Sequence, residues 1–359
     1  MNDAIRARAL ISASALRHNL ARVRRAAPSS RVLAVVKANG YGHGSVRVAR
    51  ALTDADALGV ACGSEAAELR AAGESRPIVI LEGVFNTDEL AWAAHHDCDL
   101  VVHTQEQLAL LEQTDLAQAV RIWLKLDTGM HRLGFAPEEL SEVWRRMQAC
   151  DRVAVVRLMT HLGRADERQC ATTAEQLREF ERSAAAWQCE HSIANSAGVL
   201  AWPDCHRDWV RPGIMLYGAS PFPDGHPATE ELRPVMTLTT CLIAVTRRRR
   251  GDAIGYGATY TCPEDMPVGV APVGYADGYP RHAPSGTPVL VNGERTPLVG
   301  RVSMDMICVD LRSQPQARPG DPVTLWGPDL PVDEIARSAE TIPYELLCRV
   351  GGRVQFLDE

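Results

Sequence analysis

Val32-Leu33-Ala34-Val35-Val36-Lys37-Ala38-Asn39-Gly40-Tyr41-Gly42-His43-Gly44 runs from an apolar segment through one lysine into a turn that carries three glycines. The apolar part is short, rich in β-branched valine and bounded by Arg31 and Lys37, the pattern of a strand buried in a parallel sheet. Lys37 then stands where the strand ends. A lysine whose stem lies among apolar side chains loses hydration and yields its proton more readily, as a Schiff-base lysine must. A strand-end lysine that snorkels to water fits the same letters. Glycines at 40, 42 and 44 let the backbone turn sharply and approach a bound group, and Tyr41 sets a phenol hydroxyl beside it. Their spacing matches neither common phosphate-loop pattern.

Outward from this stretch, apolar runs and helical patterns alternate. Strands are expected at Val32–Val36, Ala57–Ala61, Ile78–Leu81, Leu100–Val102, Val120–Leu126, Val153–Met159, His191–Ala194 and Trp209–Arg211. Helices are expected between them, at Ser64–Ala72, Thr104–Glu112, Pro137–Gln148 and Glu167–Trp187, after a first amphipathic helix built on Leu16, Leu20 and Val23. Eight strands separated by helices fit an α/β fold of the (β/α)8 TIM-barrel type, which takes about 250 residues. A doubly wound sheet is the rival, and no GxGxxG follows the first strand. Past Pro221 the helical period fades and short β-rich runs take over, from Val235–Val245 to Pro322–Leu325. The expected division is a barrel over residues 1–228 and a mainly β domain over 229–359, joined through Pro221-Phe222-Pro223-Asp224-Gly225-His226-Pro227.

Composition narrows the class. The chain has 359 residues, 46% of them hydrophobic and 23% charged, ordinary globular values. A formal charge of -7 argues against a nucleic-acid surface, and the one basic run, Arg247 to Arg250, reads as a solvated turn before Gly251-Asp252. The ten cysteines are scattered without CxxC or metal-ligand spacing, so no metal is expected and reduced thiols in a cytoplasm are. Met1 to Leu10 shows no leader pattern, and no run of about 18 apolar residues exists to span a membrane.

In a barrel, catalytic groups gather where strands end, because the βα loops build that face. Lys37, Arg132, His161, Asn195-Ser196 and Arg211-Pro212-Gly213-Ile214 all follow expected strands. Singly, His161 also fits a core histidine, Ser196 a helix cap and Arg211 half of an ion pair. Together they describe one face. Ser196 at a helix start and the Gly213-Ile214 backbone sit where barrels often hold a phosphate, and a Schiff-base lysine beside a phosphate cup suggests pyridoxal 5'-phosphate.

The segment Val36 to Gly44 resembles the cofactor-lysine signature of bacterial alanine racemases. So do Lys125-Leu126-Asp127-Thr128-Gly129-Met130-His131-Arg132-Leu133-Gly134, Asn195-Ser196-Ala197, Val210-Arg211-Pro212-Gly213-Ile214, Gly255-Tyr256-Gly257, Gly274-Tyr275-Ala276-Asp277-Gly278-Tyr279-Pro280-Arg281, Gly300-Arg301-Val302-Ser303-Met304-Asp305-Met306 and Tyr344-Glu345-Leu346-Leu347-Cys348, in the family's order. The resemblance implies that Lys37 holds the cofactor and serves as base on one face of the substrate α-carbon, with Tyr256 from the partner of a homodimer as base on the other. It further implies that His161 contacts that tyrosine and Arg211 contacts both His161 and the pyridine nitrogen. Arg132 would bind the cofactor's phenolic oxygen and the substrate carboxylate. Tyr41, Asn195, Ser196, Gly213, Ile214 and Tyr344 would hold the cofactor, mainly at its phosphate, while the partner's Tyr275, Met304 and Asp305 would line the entrance and position substrate. Lys125 matches a lysine that some members carry as a carbamate. One stretch departs from the family pattern, Leu162-Gly163-Arg164-Ala165-Asp166, where an aromatic residue is expected after His161. Within the resemblance, interconversion of L- and D-alanine is the first reading; a racemase of serine or another small amino acid, and a pyridoxal-phosphate-dependent decarboxylase, are the alternatives.

Overall fold

The computed structural model describes residues 6–359. The leader-free reading of Met1–Leu10 therefore concerns, at residues 1–5, positions outside those described. Strand β1 is Arg8–Ile11. β2 (Arg31–Val35), β3 (Ala57–Val60), β4 (Ile78–Ile80), β5 (Cys98–Val102), β6 (Val120–Lys125), β7 (Val153–Met159), β8 (His191–Ser192) and β9 (Trp209–Val210) then form a closed parallel barrel, β9 pairing back on β2. The eight strands expected from sequence are these eight. β2 to β5 are buried almost throughout, because helices cover the outside and side chains fill the inside. The helices start where capping side chains stand: Ser12, Asn86 and Thr104 each accept a hydrogen bond from a first-turn backbone N–H. One expectation needs shortening. Glu167–Trp187 yields a helix only over Thr172–Ala184, because residues 164–170 close instead into turns, Glu167 N–H onto Arg164 and Cys170 N–H onto Glu167.

Strand residues alternate between the two faces of the barrel wall. Leu33, Ala57, Val79, Val101, Trp123, Met159 and Trp209 form the interior cluster. Toward the strand starts the interior closes with charge. Asp99 accepts from Trp123 Nε1 at 3.0 Å, Arg121 Nε at 2.6 Å and Arg157 Nη1 at 3.1 Å. Glu190 accepts from Trp209 Nε1 at 3.0 Å and Arg157 Nε at 2.7 Å, and pairs with Arg31. Burial alone would raise the Glu190 carboxyl pKa; the bonds from Trp209, Arg31 and Arg157 outweigh it and hold the value down at about 2.

The second domain adds β10 (Met236–Cys241), β11 (Ala244–Arg248), β12 (Ala253–Ile254), β13 (Tyr260–Thr261), β14 (Met266–Ala271), β15 (Pro288–Val291), β16 (Glu294–Val299), β17 (Ile307–Asp310), β18 (Pro322–Trp326) and β19 (Gln355–Asp358). Its large sheet has nine strands in the order β11-β14-β17-β16-β15-β18-β10-β1-β19. β1 thus precedes the barrel in sequence but belongs to the other sheet, antiparallel to β10 and parallel to β19. A four-residue strand of half-buried pattern carries too little periodicity to be seen in sequence.

The domains meet at the turn after β2. Ala38, Asn39, Gly40 and Tyr41 all have φ between 51° and 61°, a left-handed helical turn, which costs roughly 1–2 kcal/mol for each residue with a side chain. Surrounding groups over-determine it. Ala38 N–H donates to Glu65 Oε1 at 2.7 Å, Ser45 N–H to Asn39 Oδ1 at 3.1 Å, and His43 Nδ1 to the carbonyls of Gly40 and Tyr41 at 3.0 and 2.8 Å. Burial drives the His43 pKa down to about 4, so the ring is neutral with its proton on Nδ1. Next in line, Gly42 has φ +80°, and a Cβ there would lie 2.1 Å from the carbonyl oxygen of Leu347 in the helix Pro343–Arg349.

Two substitutions test these contacts. Asp99→Ala leaves Arg157 and the Trp123 N–H facing an apolar gap and should cost about 3 kcal/mol, read from the urea midpoint at fixed protein concentration; an unchanged midpoint would mean the cluster is idle. Gly42→Ala should cost about 2 kcal/mol or more, since it adds both left-handed strain and a clash. Differential scanning calorimetry would show a lowered melting temperature, and a wild-type value would refute the close approach.

Candidate active site

The alternation that fills the barrel interior also delivers the site. Two residues past Leu33 is Val35, then Lys37; two past Trp123 is Lys125; two past Met159 is His161; two past Trp209 is Arg211. All line one cavity of about 850 Å³ at the strand ends. Lys37 itself is exposed at its mouth while Val32 to Val36 beneath it are buried, because β2 ends at Val35 and the lysine opens the turn. Arg132 reaches the same cavity from the loop between Leu126 and Phe135. Asp127 shapes that loop by accepting from the Gly129 and His131 N–H groups, each at 3.0 Å.

Arg211 is buried, 4% exposed. Its Nη1 donates to Ser192 Oγ at 2.6 Å, its Nη2 to the Thr160 carbonyl and to Ile193 O at 3.3 Å, and Nη2 also meets His161 Nδ1 at 3.5 Å. Its Nε has no protein partner among the described residues. Burial lowers its pKa to about 10, which still leaves a cation at neutral pH. Burial, then Arg211, Lys125 and Arg132, hold the His161 pKa well below the usual range. The imidazole is neutral, and since Nδ1 faces a guanidinium donor, its proton sits on Nε2. Lys125 is 8% exposed and has no hydrogen-bond partner among the described residues. Burial first, then Arg211 and Arg132, bring its pKa down to about 8.

At the other end of the cavity Tyr41 stacks on Tyr217, ring centroids 4.6 Å apart, and lies 6.0 Å from Tyr344. Burial raises the pKa of both Tyr41 and Tyr344, so each hydroxyl keeps its proton and can donate. Neither has a protein partner among the described residues. Ser196 Oγ accepts from the Gly213 and Met215 N–H groups at 2.9 and 3.3 Å, and Asn195 caps the helix Ser196–Ala201 by accepting from Gly198 N–H. A Cβ on Gly213 would stand 2.4 Å from Tyr41 Oη. Ile214 completes this wall. An amine, two free phenol donors, a glycine that keeps the wall open and a cationic N–H at Arg211 are a donor set that fits pyridoxal 5'-phosphate.

The four residues expected to serve the partner subunit's site lie away from this chain's own cavity. Tyr256, Tyr275 and Met304 are 69%, 42% and 53% exposed on the second domain, and Asp305 pairs with Arg353 at 2.7 Å; none lines this chain's cavity. Glu65 and His43, which hold the left-handed turn, do not stand out in the sequence: Glu65 belongs to no motif, and His43 is one letter of the Val36–Gly44 segment.

Comparison with known proteins identifies the family. The profile of the alanine racemase N-terminal domain matches residues 11–221 and that of the C-terminal domain residues 235–357. An alanine racemase of Nitrosococcus oceani is 58% identical over 347 residues, 96% of this chain and 97% of that protein. The crystal structure of the biosynthetic alanine racemase from Pseudomonas aeruginosa superposes with a TM-score of 0.96 at 46% identity, covering 98% of this chain and 99% of that one. The alanine racemase of Bartonella henselae, described with covalently bound pyridoxal phosphate, superposes with a TM-score of 0.90 at 28% identity over 98% of this chain and 99% of that one. The chain is an enzyme of the alanine racemase family.

Proposed function

We propose that the protein interconverts L-alanine and D-alanine with pyridoxal 5'-phosphate, in a homodimer whose two sites each draw on both chains, supplying D-alanine for peptidoglycan or serving alanine catabolism. The observation that carries the reading is the convergence of Lys37, Arg211 and His161 on one cavity whose far wall is the cup of Tyr41, Ser196, Gly213 and Tyr344. When bound, the cofactor supplies an electron-withdrawing ring that acidifies the substrate's α-proton. Ten free thiols favour a reducing cytoplasm, and among the described residues no helix is long and apolar enough to cross a membrane.

In this reading Lys37 anchors the cofactor and its amine takes or returns the α-proton on one face. Inversion needs a second proton carrier on the opposite face, and Tyr256 of the partner subunit fills it. A free phenol, with a pKa of about 10, is a poor base. The His161 Nε2–H, its proton placed by Arg211 behind it, donates to the phenolate and favours that form. Arg211 offers Nε–H to the pyridine nitrogen and does not give its proton up. Arg132 takes the substrate carboxylate, and Tyr41 and Tyr344 donate to the phosphate. Asn195 shapes the cup as a helix cap, and Ile214 walls it. Support for a second chain comes from the exposed Tyr256, Tyr275 and Met304, which this chain's own cavity does not use.

Lys125 sits among the cations Arg211, Arg132 and Lys37 with a pKa brought down to about 8. Its neutral amine can add CO2 and release a proton, giving a carbamate anion that orients Arg132. The neutral fraction grows as pH rises through that value. Native mass spectrometry at mildly alkaline pH should show one added CO2 per chain, shed on acidification; its absence would end the idea.

Incubation of L-alanine with holoenzyme in D2O should replace the α-proton and yield D-alanine, whereas release of CO2 would instead support the decarboxylase reading, and faster turnover of serine a broader racemase. Tyr256→Phe should lower racemisation about a thousandfold, unequally for α-proton exchange of the two enantiomers. Equal, unimpaired exchange would remove Tyr256 from the mechanism.

A further inference from the structure

We propose that Arg353 is a positioning residue for the other subunit's active site: one guanidinium ties together the two loops that carry Tyr275 and Met304-Asp305. The inference rests on the shared-site reading above. Arg353 Nε and Nη2 meet Asp277 Oδ1 and Oδ2 at 3.2 and 3.3 Å, while Nη1 meets Asp305 Oδ1 at 2.7 Å. Asp277 is 2% exposed and also accepts the Gly274 N–H at 2.9 Å, closing the turn around Tyr275. The loops are stitched directly as well. Tyr275 N–H donates to Ser303 O at 3.1 Å and Ala276 N–H to Met304 O at 3.0 Å. Gly274 lies so close that a Cβ there would stand 2.2 Å from Ser303 O.

Arg353 is thus the side chain through which both loops are held to a third segment. That segment is the turn just past the helix Pro343–Arg349, whose Tyr344 and Cys348 line this chain's own cavity. A Cβ on Gly278 would stand 2.5 Å from Arg349 O, so the Tyr275 loop also rests on the helix end. A short run from Tyr344 to Arg353 therefore touches one site and orders the loops of the other. The fork of a guanidinium suits this task, because it can serve two carboxylates at fixed angles and an ammonium cannot. The pair with Asp305 is half-exposed and adds little to stability, so its consequence is geometric. Substrate held by Met304 and Asp305 would lose placement while cofactor binding and the Tyr256 segment stay intact.

The test uses Arg353→Ala holoenzyme and mixed dimers purified through two different tags. Arg353→Ala should raise KM for alanine about tenfold with kcat less affected, leave the visible spectrum of the bound cofactor unchanged, and speed hydrogen exchange at the Tyr275 and Ala276 amides. Arg353→Lys should recover part of the KM. In a mixed dimer of Arg353→Ala with Lys37→Ala, the one live site takes Lys37 from the first chain and its loops from the second, so KM should return to wild type. A mixed dimer of Lys37→Ala with Tyr256→Phe serves as control, since it regains one complete site only if sites are shared. No rescue in the control would sink the shared-site reading and the proposal with it. Rescue in the control combined with a KM that stays raised beside Lys37→Ala, or an unaltered KM in Arg353→Ala, would sink the role of Arg353 alone.

Discussion

The carbonyl oxygen of Leu347 occupies space that any side chain larger than hydrogen at residue 42 would need. Because of that one close approach, the helix Pro343–Arg349 can lie against the left-handed turn of Ala38 to Tyr41, and the second domain can reach the barrel's mouth. Lys37 and Tyr41 are aimed from one side of the contact; Tyr344 and Cys348 from the other. The turn is strained, and it persists because Glu65 and His43 satisfy part of its backbone and the Asn39 side chain ties it to the Ser45 N–H. Strain held by a rigid surround is a way to keep a lysine and a phenol in a fixed relation without a ligand to organise them.

The barrel interior separates two electrostatic tasks along one set of inward positions. At the strand starts, Asp97, Asp99 and Glu190 pair with Arg31, Arg121 and Arg157 around two indoles, and charge there is paired and structural. At the strand ends Lys37, Lys125, Arg132 and Arg211 converge on one cavity, in a chain whose formal charge is -7. Unpaired cations in a partly buried pocket attract anions. That field favours a phosphate and an amino-acid carboxylate, and it adds to burial in keeping His161 neutral.

Inversion of a carbon centre asks for proton carriers on two faces, and a barrel mouth offers one face from its own strand ends. In the proposed dimer the second face comes from a domain whose exposed Tyr256, Tyr275 and Met304 have no role in their own chain's cavity. The segment from Tyr344 to Arg353 then touches one site and orders the loops of the other, so the second domain serves as more than a lid.

Fold class was legible in the letters, and so was Lys37 as the candidate for the proposed cofactor link. Parallel strands buried on both faces must be continuous apolar runs, so the eight barrel strands stand out even where only two residues pair, as in β8 and β9. Alternation along those runs also places Lys125, His161 and Arg211 on the interior side. What sequence could not supply came from contacts between distant segments. β1 joins the second sheet because β10 and β19 offer it partners, and four residues carry no period to announce that. Glu65 and Arg353 have no signature of their own; each acts through a backbone turn or a pair of carboxylates that only folding brings within reach. The sequence by itself determined which residues could carry chemistry, because side-chain type and strand period are local. The tertiary structure alone decided which of them share a cavity and which face outward, because that depends on how two sheets and one helix close around a glycine.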